Sequence, residues 1–195
     1  MNNQDFCPLV IICPGIHDLK LTESFLEKLQ LNKNNHQFSS KAPQILIFPA
    51  QDYPAYSAIH IVGFLQSQIT NIKSPLVFIS FSAGVVGAMG AALTWQLLGG
   101  NVKTLIAIDG WGVPLFGIPI HRLSHDYFTH WSSALLGAGK DSFYADPAVE
   151  HLELWQSPNI CRGWRVNSTI GKKIEQRTYT TAAEYIIYLL QDYLR

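Results

Sequence analysis

The stretch Pro75-Leu-Val-Phe-Ile-Ser-Phe-Ser-Ala-Gly84 carries the strongest structural signal of the chain. Its first part is a continuous run of apolar, β-favouring residues, which predicts a buried strand over residues 76–81. Mostly small apolar residues follow, and they predict a helix over residues 83–98 that ends at the following glycine pair. Because the strand passes directly into the helix, Ser82 is expected on a sharp turn at the end of a sheet.

The rest of the chain alternates between strand-like and helix-like segments. Further strands are predicted at residues 9–13, 45–48 and 102–108, with weaker ones at 117–123 and 143–149; helices are predicted at 21–31, 56–72 and 181–194, with a short helical stretch at 131–136 and a polar loop at 32–42. Repeated units of an apolar strand and a helix are typical of a parallel sheet that is covered on both faces. We therefore predict one α/β domain over residues 1–195, a three-layer sandwich with a mostly parallel central sheet of about six strands.

Composition excludes several classes of function. A chain of 195 residues is long enough for one domain with a sizeable core. Its 14 basic and 14 acidic residues balance, which argues against a nucleic-acid partner. No window approaches the roughly 18 apolar residues of a membrane span, and the first residues lack a secretory signal, so we expect a cytoplasmic protein. Three cysteines without a Cys-x-x-Cys pair indicate neither a disulfide framework nor a zinc knuckle. Composition predicts no oligomeric state.

Small residues stand two positions before and two positions after Ser82, namely Ser80 and Gly84. This arrangement resembles the nucleophile elbow of the α/β-hydrolase superfamily, although the family's commonest pattern, Gly-x-Ser-x-Gly, has glycine where this chain has Ser80. The resemblance implies the α/β-hydrolase fold, without a large cap domain because the chain is short. It also implies hydrolysis of a carboxylic ester or thioester through an acyl-enzyme on Ser82, with a small-molecule substrate and no cofactor.

A serine nucleophile needs a histidine that takes its proton. In the family that histidine follows the last strand and precedes a closing helical segment. His151 matches this position, since the apolar segment 152–155 comes directly after it. His125 and His130 remain as alternatives.

The histidine in turn needs a carboxylate, which the family places between the serine and the histidine along the chain. We favour Asp126, because it follows the predicted strand 117–123. Asp109 is the alternative, because it ends the predicted strand 102–108, although an Asp-Gly pair is also an ordinary turn signal.

The resemblance implies an oxyanion hole built from two backbone amides, those of Ala83 and Ile16. Ala83 follows the serine, and Ile16 lies in the loop Pro14-Gly-Ile-His-Asp18 after the first strand. The aromatic segment that follows residue 109 is where this family builds its substrate pocket. We therefore expect Trp111, Phe116 and Tyr127 to line the pocket, although such residues suit a core equally well.

Three other hypotheses stay open or are disfavoured. His121, His125, Asp126 and His130 could form a metal site if His121 and His125 shared a helix face, but Pro119 and the strand-like residues beside it disfavour that helix, and we expect no metal. A scaffold that binds a small molecule or a protein without turnover is the main alternative, because a fold does not guarantee its chemistry. An acyltransferase would use the same acyl-enzyme, and the sequence does not separate it from a hydrolase.

Overall fold

The computed structural model describes residues 7–31, 43–137, 139, 141–167 and 176–194. The strands are β1 (Leu9–Cys13), β2 (Gln44–Ile47), β3 (Pro75–Phe81), β4 (Asn101–Ile108), β5 (Ile120–Ser124), β6 (Asp141–Ala145), β7 (Arg162–Asn167) and β8 (Gln176–Thr181). The helices are α1 (Leu19–Lys28), α2 (Ala58–Gln68), α3 (Ala83–Leu97), α4 (Tyr127–Ala134), α5 (His151–Gln156) and α6 (Ala182–Tyr193). The predicted loop at 32–42 lies outside the described residues.

All eight strands form one sheet in the order β2-β1-β3-β4-β5-β6-β7-β8. The first six strands of this order run parallel, and β7 and β8 are added antiparallel at the β6 edge. The predicted α/β architecture with a mostly parallel sheet is confirmed. The expected strand number of about six was wrong, because eight strands pair.

Side chains of alternate strand residues belong to two separate hydrophobic cores, one on each face of the sheet. Val10, Val77 and Ile106 belong to one core, which is completed by apolar residues of α1, α5 and α6. The neighbouring residues Ile11 and Phe78 belong to the other core, which is completed by α2 and α3. Because successive strand side chains point to opposite faces, the sheet is covered by helices on both sides, as the apolar strands predicted.

The missed strands, β7 and β8, have a physical explanation. β7 reads Arg-Gly-Trp-Arg-Val-Asn and β8 reads Gln-Arg-Thr-Tyr-Thr-Thr, so neither shows a continuous apolar run. Most side chains of β8 are exposed, since it is the edge strand of the sheet. Backbone pairing with β7 forms this strand rather than burial, and an apolar pattern does not reveal it.

Parallel strands place their carboxyl ends at one edge of the sheet. β3, β4 and β5 are adjacent, and the residues that follow them are Ser82, Asp109 and His125. The loop after β1 lies at the same edge, since β1 pairs in parallel with β3. The fold therefore brings the polar side chains that follow these three strands to one edge, with the backbone of the loop after β1 beside them. None of the helices in the described ranges is long and apolar enough to cross a membrane.

Candidate active site

Ser82 occupies a sharp turn between β3 and α3. Its backbone has φ 51° and ψ −122°, a conformation that a residue with a side chain rarely adopts. The turn is held in place because the Ser82 amide donates a hydrogen bond to Ile108 O at 2.9 Å, which ties it to β4. Backbone strain of this kind is concentrated at functional sites. The short apolar strand and the helix that follows leave the Ser82 side chain at the carboxyl edge of the sheet.

Close packing behind this turn explains the small residues around Ser82. A Cβ atom added to Gly84 would overlap the carbonyl oxygens of Cys13 and Pro14, so the loop after β1 lies directly against the start of α3. A Cβ atom added to Gly15 would lie 3.1 Å from the Cβ atom of Ser82. Ser80 is fully buried, and its hydroxyl donates to Ile106 O at 3.3 Å.

Asp109 lies at the end of β4, and its side chain is only 1% exposed. Its Oδ1 atom accepts a hydrogen bond from the His125 amide at 2.9 Å. Its Oδ2 atom lies 2.9 Å from Nδ1 of His125 and 2.9 Å from Nδ1 of His151. Burial disfavours the charged carboxylate, but the hydrogen bonds from His125 and His151 outweigh this effect and lower the pKa of Asp109 below its usual value. The carboxylate is therefore ionised and able to hold both imidazoles.

His151 is the first residue of α5. A capping box between Glu150 and Glu153 fixes where this helix begins. The His151 ring stacks on Phe81 with 4.6 Å between ring centroids, while its side chain remains 42% exposed. The ring is thus held between the buried Asp109 carboxylate and the end of β3, and it lines the cavity together with Ser82.

His125 follows β5 and is the second imidazole on the Asp109 carboxylate. The His125 and His151 rings lie 6.0 Å apart between centroids and are nearly perpendicular. The hydrogen bond to Asp109 raises the pKa of His125, although partial burial acts against the charged form. The His125 carbonyl also accepts a hydrogen bond from the Val149 amide at 3.0 Å, so the segment that carries His151 is attached to the end of β5.

The structure brings Asp109, and not Asp126, into contact with His151. The Asp126 carboxylate instead accepts a hydrogen bond from the Thr129 amide at 2.6 Å, where Asp126 is the N-cap residue of α4. Among the described residues, Asp126 approaches the site only through His125, whose Nε2 atom lies 3.7 Å from Asp126 Oδ2. Sequence could not separate these two carboxylates, because both follow strands that end at the same edge of the sheet.

Of the two amides expected to form an oxyanion hole, that of Ala83 belongs to a residue that lines the cavity beside Ser82, whereas Ile16 is not among the described residues that line it. Ala83 is the first residue of α3, where backbone N–H groups have no partner within the helix. Ile16 lies in the loop after β1, is 78% exposed, and donates no backbone hydrogen bond to any described residue. The side chain of its neighbour His17 points toward α1, where Nε2 lies 3.0 Å from Thr22 Oγ1.

A cavity of about 450 Å³ opens at this edge of the sheet. Its polar wall contains Ser82, Asp109, His125, Thr129 and His151, and its apolar wall contains Ala83, Val86, Trp111, Val113 and Phe128. Of the three residues predicted to line the pocket, Trp111 does so, and its Nε1 donates to Ser132 Oγ at 3.1 Å. Phe116 and Tyr127 lie outside the lining and are largely exposed; Tyr127 packs edge-on against Tyr144.

Arg122 is a residue of this region that sequence reasoning missed. It is buried on β5, and its guanidinium donates to the carbonyl groups of Gly137 at 2.6 Å and Val113 at 2.9 Å, with longer bonds to Leu136 and Gly110. Burial lowers its pKa to about 10. Arg122 thereby fastens the segment that carries Trp111 and Val113 to the sheet. The signal that could have revealed it was an arginine in a predicted inner strand of a sheet that is covered on both faces.

Asp109, His125 and His151 are also a group of described residues that could ligate a metal ion, since one donor atom of each lies within 4.8 Å of the others. This group shares only His125 with the metal hypothesis taken from the sequence. His121 lies at the other end of β5, where its Nε2 atom is 3.0 Å from the Tyr193 hydroxyl. His130 follows on α4, outside the group.

Comparison with known proteins assigns no family, because no protein-family model and no curated protein matches the chain.

Proposed function

We propose that this protein is a serine hydrolase of the α/β-hydrolase type, which cleaves a carboxylic ester or thioester through an acyl-enzyme. The observation that carries the proposal is the 2.9 Å contact between Asp109 Oδ2 and His151 Nδ1 in the cavity that also contains Ser82. Serine, carboxylate and histidine follow each other along the chain in the order that α/β-hydrolases use. The turn at Ser82 supports the same assignment.

In the proposed mechanism, Ser82 Oγ attacks the carbonyl carbon of the substrate and gives its proton to His151 Nε2. Asp109 holds the tautomer with a proton on Nδ1 and stabilises the imidazolium that forms. No described residue hydrogen-bonds to Ser82 Oγ, and such bonds often tighten only when substrate is present.

The negative charge that develops on the carbonyl oxygen is stabilised by the amides of Ala83 and Ile16. When the tetrahedral intermediate collapses, the bond to the alcohol or thiol breaks, and His151 returns its proton to the leaving group. Water then repeats the sequence on the acyl-enzyme, which releases the acid and restores Ser82.

The walls of the cavity indicate the part of the substrate that enters. Val86, Val113, Trp111 and Phe128 present an apolar surface beside Ser82, and among the described residues the two histidines on Asp109 are the only basic side chains in the lining. An apolar acyl group fits this environment better than a charged one. We therefore expect esters with an aliphatic or aromatic acyl group to be preferred over esters of dicarboxylic acids.

The proposal is tested by hydrolysis of p-nitrophenyl esters with acyl chains of increasing length. Ser82→Ala should abolish the enzymatic rate, whereas Ser80→Ala should retain most of it, because the Ser80 hydroxyl is buried and bonded to β4. Equal loss in both variants, with both folded, or full activity in Ser82→Ala would contradict the assignment. A folded wild-type protein that hydrolyses no ester or thioester would favour the non-catalytic scaffold.

A further inference from the structure

His125 contributes a ring nitrogen that the proposed hydrolysis does not need. A triad requires one imidazole on its carboxylate, whereas Asp109 Oδ2 contacts two, at 2.9 Å each. Asp109, His125 and His151 all line the cavity at the carboxyl edge of the sheet, so a small ion can reach them from solvent. The Asp109 carboxylate can therefore accept hydrogen bonds from both imidazoles, as in this structure, or share a bound ion with them.

We propose that Asp109, His125 and His151 form a binding site for a divalent transition-metal ion such as Zn²⁺, and that its binding switches off the hydrolase. Two imidazole nitrogens and one carboxylate oxygen are a ligand set that suits Zn²⁺, with the fourth position left for water from the cavity. The binding half of the inference is independent of the proposed function, and the switching half rests on it.

The geometry requires only a small rearrangement. Zinc ligands lie about 2.0–2.2 Å from the ion, which places neighbouring donor atoms about 3.3 Å apart around a tetrahedral centre. Each Nδ1 atom is now 2.9 Å from Asp109 Oδ2, so each ring has to retreat by a few tenths of an ångström and turn toward the other ring. The His125 and His151 side chains are 26% and 42% exposed and can move, whereas the buried Asp109 stays anchored by the His125 amide.

Metal binding and catalysis exclude each other because they use the same lone pairs. In the proposed triad, Nδ1 of His151 carries a proton and Nε2 accepts one from Ser82. A metal on Nδ1 needs that nitrogen's lone pair, so the proton of the neutral ring moves to Nε2, and no proton is released. His151 then cannot act as a base. In His125 the same change turns an N–H toward Asp126 Oδ2, which lies 3.7 Å from Nε2 and can orient the ring.

Binding is tested by isothermal titration of the metal-free protein with ZnCl₂. We expect one ion per chain, unchanged affinity in Ser82→Ala, and an affinity about 10-fold or more weaker in His125→Asn, since even the loss of a residue that only orients a ligand has an effect of this size. Asparagine can still donate a hydrogen bond to Asp109, and circular dichroism confirms that the variant is folded. His60→Asn is the matched control, because His60 lies on α2, outside the cluster, and is bonded to Ser57.

Switching is tested by ester hydrolysis, with each variant compared with its own metal-free rate. Zn²⁺ should inhibit the wild type with a midpoint at the dissociation constant from titration, EDTA should restore the rate, and His125→Asn should resist inhibition. Absence of binding, or equal binding by wild type and His125→Asn, overturns the site. Binding that depends on His125 but leaves hydrolysis unchanged overturns the switch alone. If the metal binds in this way and no ester is cleaved by any preparation, the switch fails together with the proposed function, and the metal site stands.

Discussion

Replacement of Asp109 by asparagine tests which carboxylate serves His151. The Asp109 carboxylate receives three donors, the His125 amide and the Nδ1 atoms of His125 and His151. An asparagine side chain offers one oxygen and one NH₂ group. If the oxygen faces the fixed His125 amide, the NH₂ group faces the two rings, and His151 is forced into the tautomer with a proton on Nε2. In that tautomer it cannot take a proton from Ser82.

The expected loss follows from this tautomer change. The equivalent exchange in a serine protease triad lowers kcat by about 10⁴-fold, and we expect a similar factor here, which corresponds to about 5 kcal/mol of transition-state stabilisation. Asp126→Asn is the matched control, since asparagine is an equally good N-cap for α4, and its kcat should stay within about threefold of wild type. The assay is steady-state ester hydrolysis at neutral pH. A loss in Asp126→Asn equal to that in Asp109→Asn, or an active Asp109→Asn, would refute the reasoning.

Three further predictions concern stability and the pocket wall. Gly84→Ala should lower the free energy of unfolding by about 1–3 kcal/mol in urea denaturation, because the added Cβ overlaps backbone carbonyls, whereas Gly63→Ala on α2, where a Cβ meets nothing within 4 Å, should be neutral or stabilising. His121 is buried, and burial lowers its pKa from the usual value near 6.5 to about 4. Between these two pH values the unfolded chain binds a proton at His121 that the folded chain does not bind. The free energy of unfolding should therefore fall by about 3 kcal/mol as the pH decreases from about 6.5 to about 4, and His121→Gln should lack this pH-dependent loss. Arg122→Met should leave backbone carbonyls of the pocket wall without a donor, and it should lower the free energy of unfolding by about 1–3 kcal/mol in the same denaturation assay. It should also raise KM more than it lowers kcat, and Arg122→Lys should recover part of the KM effect. An unchanged KM in Arg122→Met would contradict the role given to Arg122.

The parts of the fold that sequence predicted are those in which local pattern and burial agree. β1 is a continuous apolar run that is buried on both faces, and β3 and the second half of β4 are nearly so, which is why composition alone marks them. β7 and β8 carry polar and aromatic residues, and their pairing depends on a partner that is distant in sequence, which no local pattern records. The eight-stranded sheet was therefore underestimated at its antiparallel edge.

The candidate site was predictable to the level of strand ends and no further. Ser82 could be singled out because strand, turn and helix occur within one short segment. The choice between Asp109 and Asp126 depended on which side chain turns toward His151. Asp126 is used locally as the N-cap of α4, whereas Asp109 meets His151 across 42 positions of the chain, a contact that no local pattern records. The contact of His125 with Asp109 was missed for the same reason, since it requires β4 and β5 to be neighbours.

The central claim is that Ser82 is an activated nucleophile, and covalent labelling tests it most directly. Wild type, Ser82→Ala and Ser80→Ala are treated with a fluorophosphonate, and the products are read by intact mass and peptide mapping. We predict one adduct per chain in the wild type and in Ser80→Ala, located on Ser82, and none in Ser82→Ala. A folded wild-type protein that remains unlabelled, or an adduct on another residue that persists in Ser82→Ala, would contradict the account.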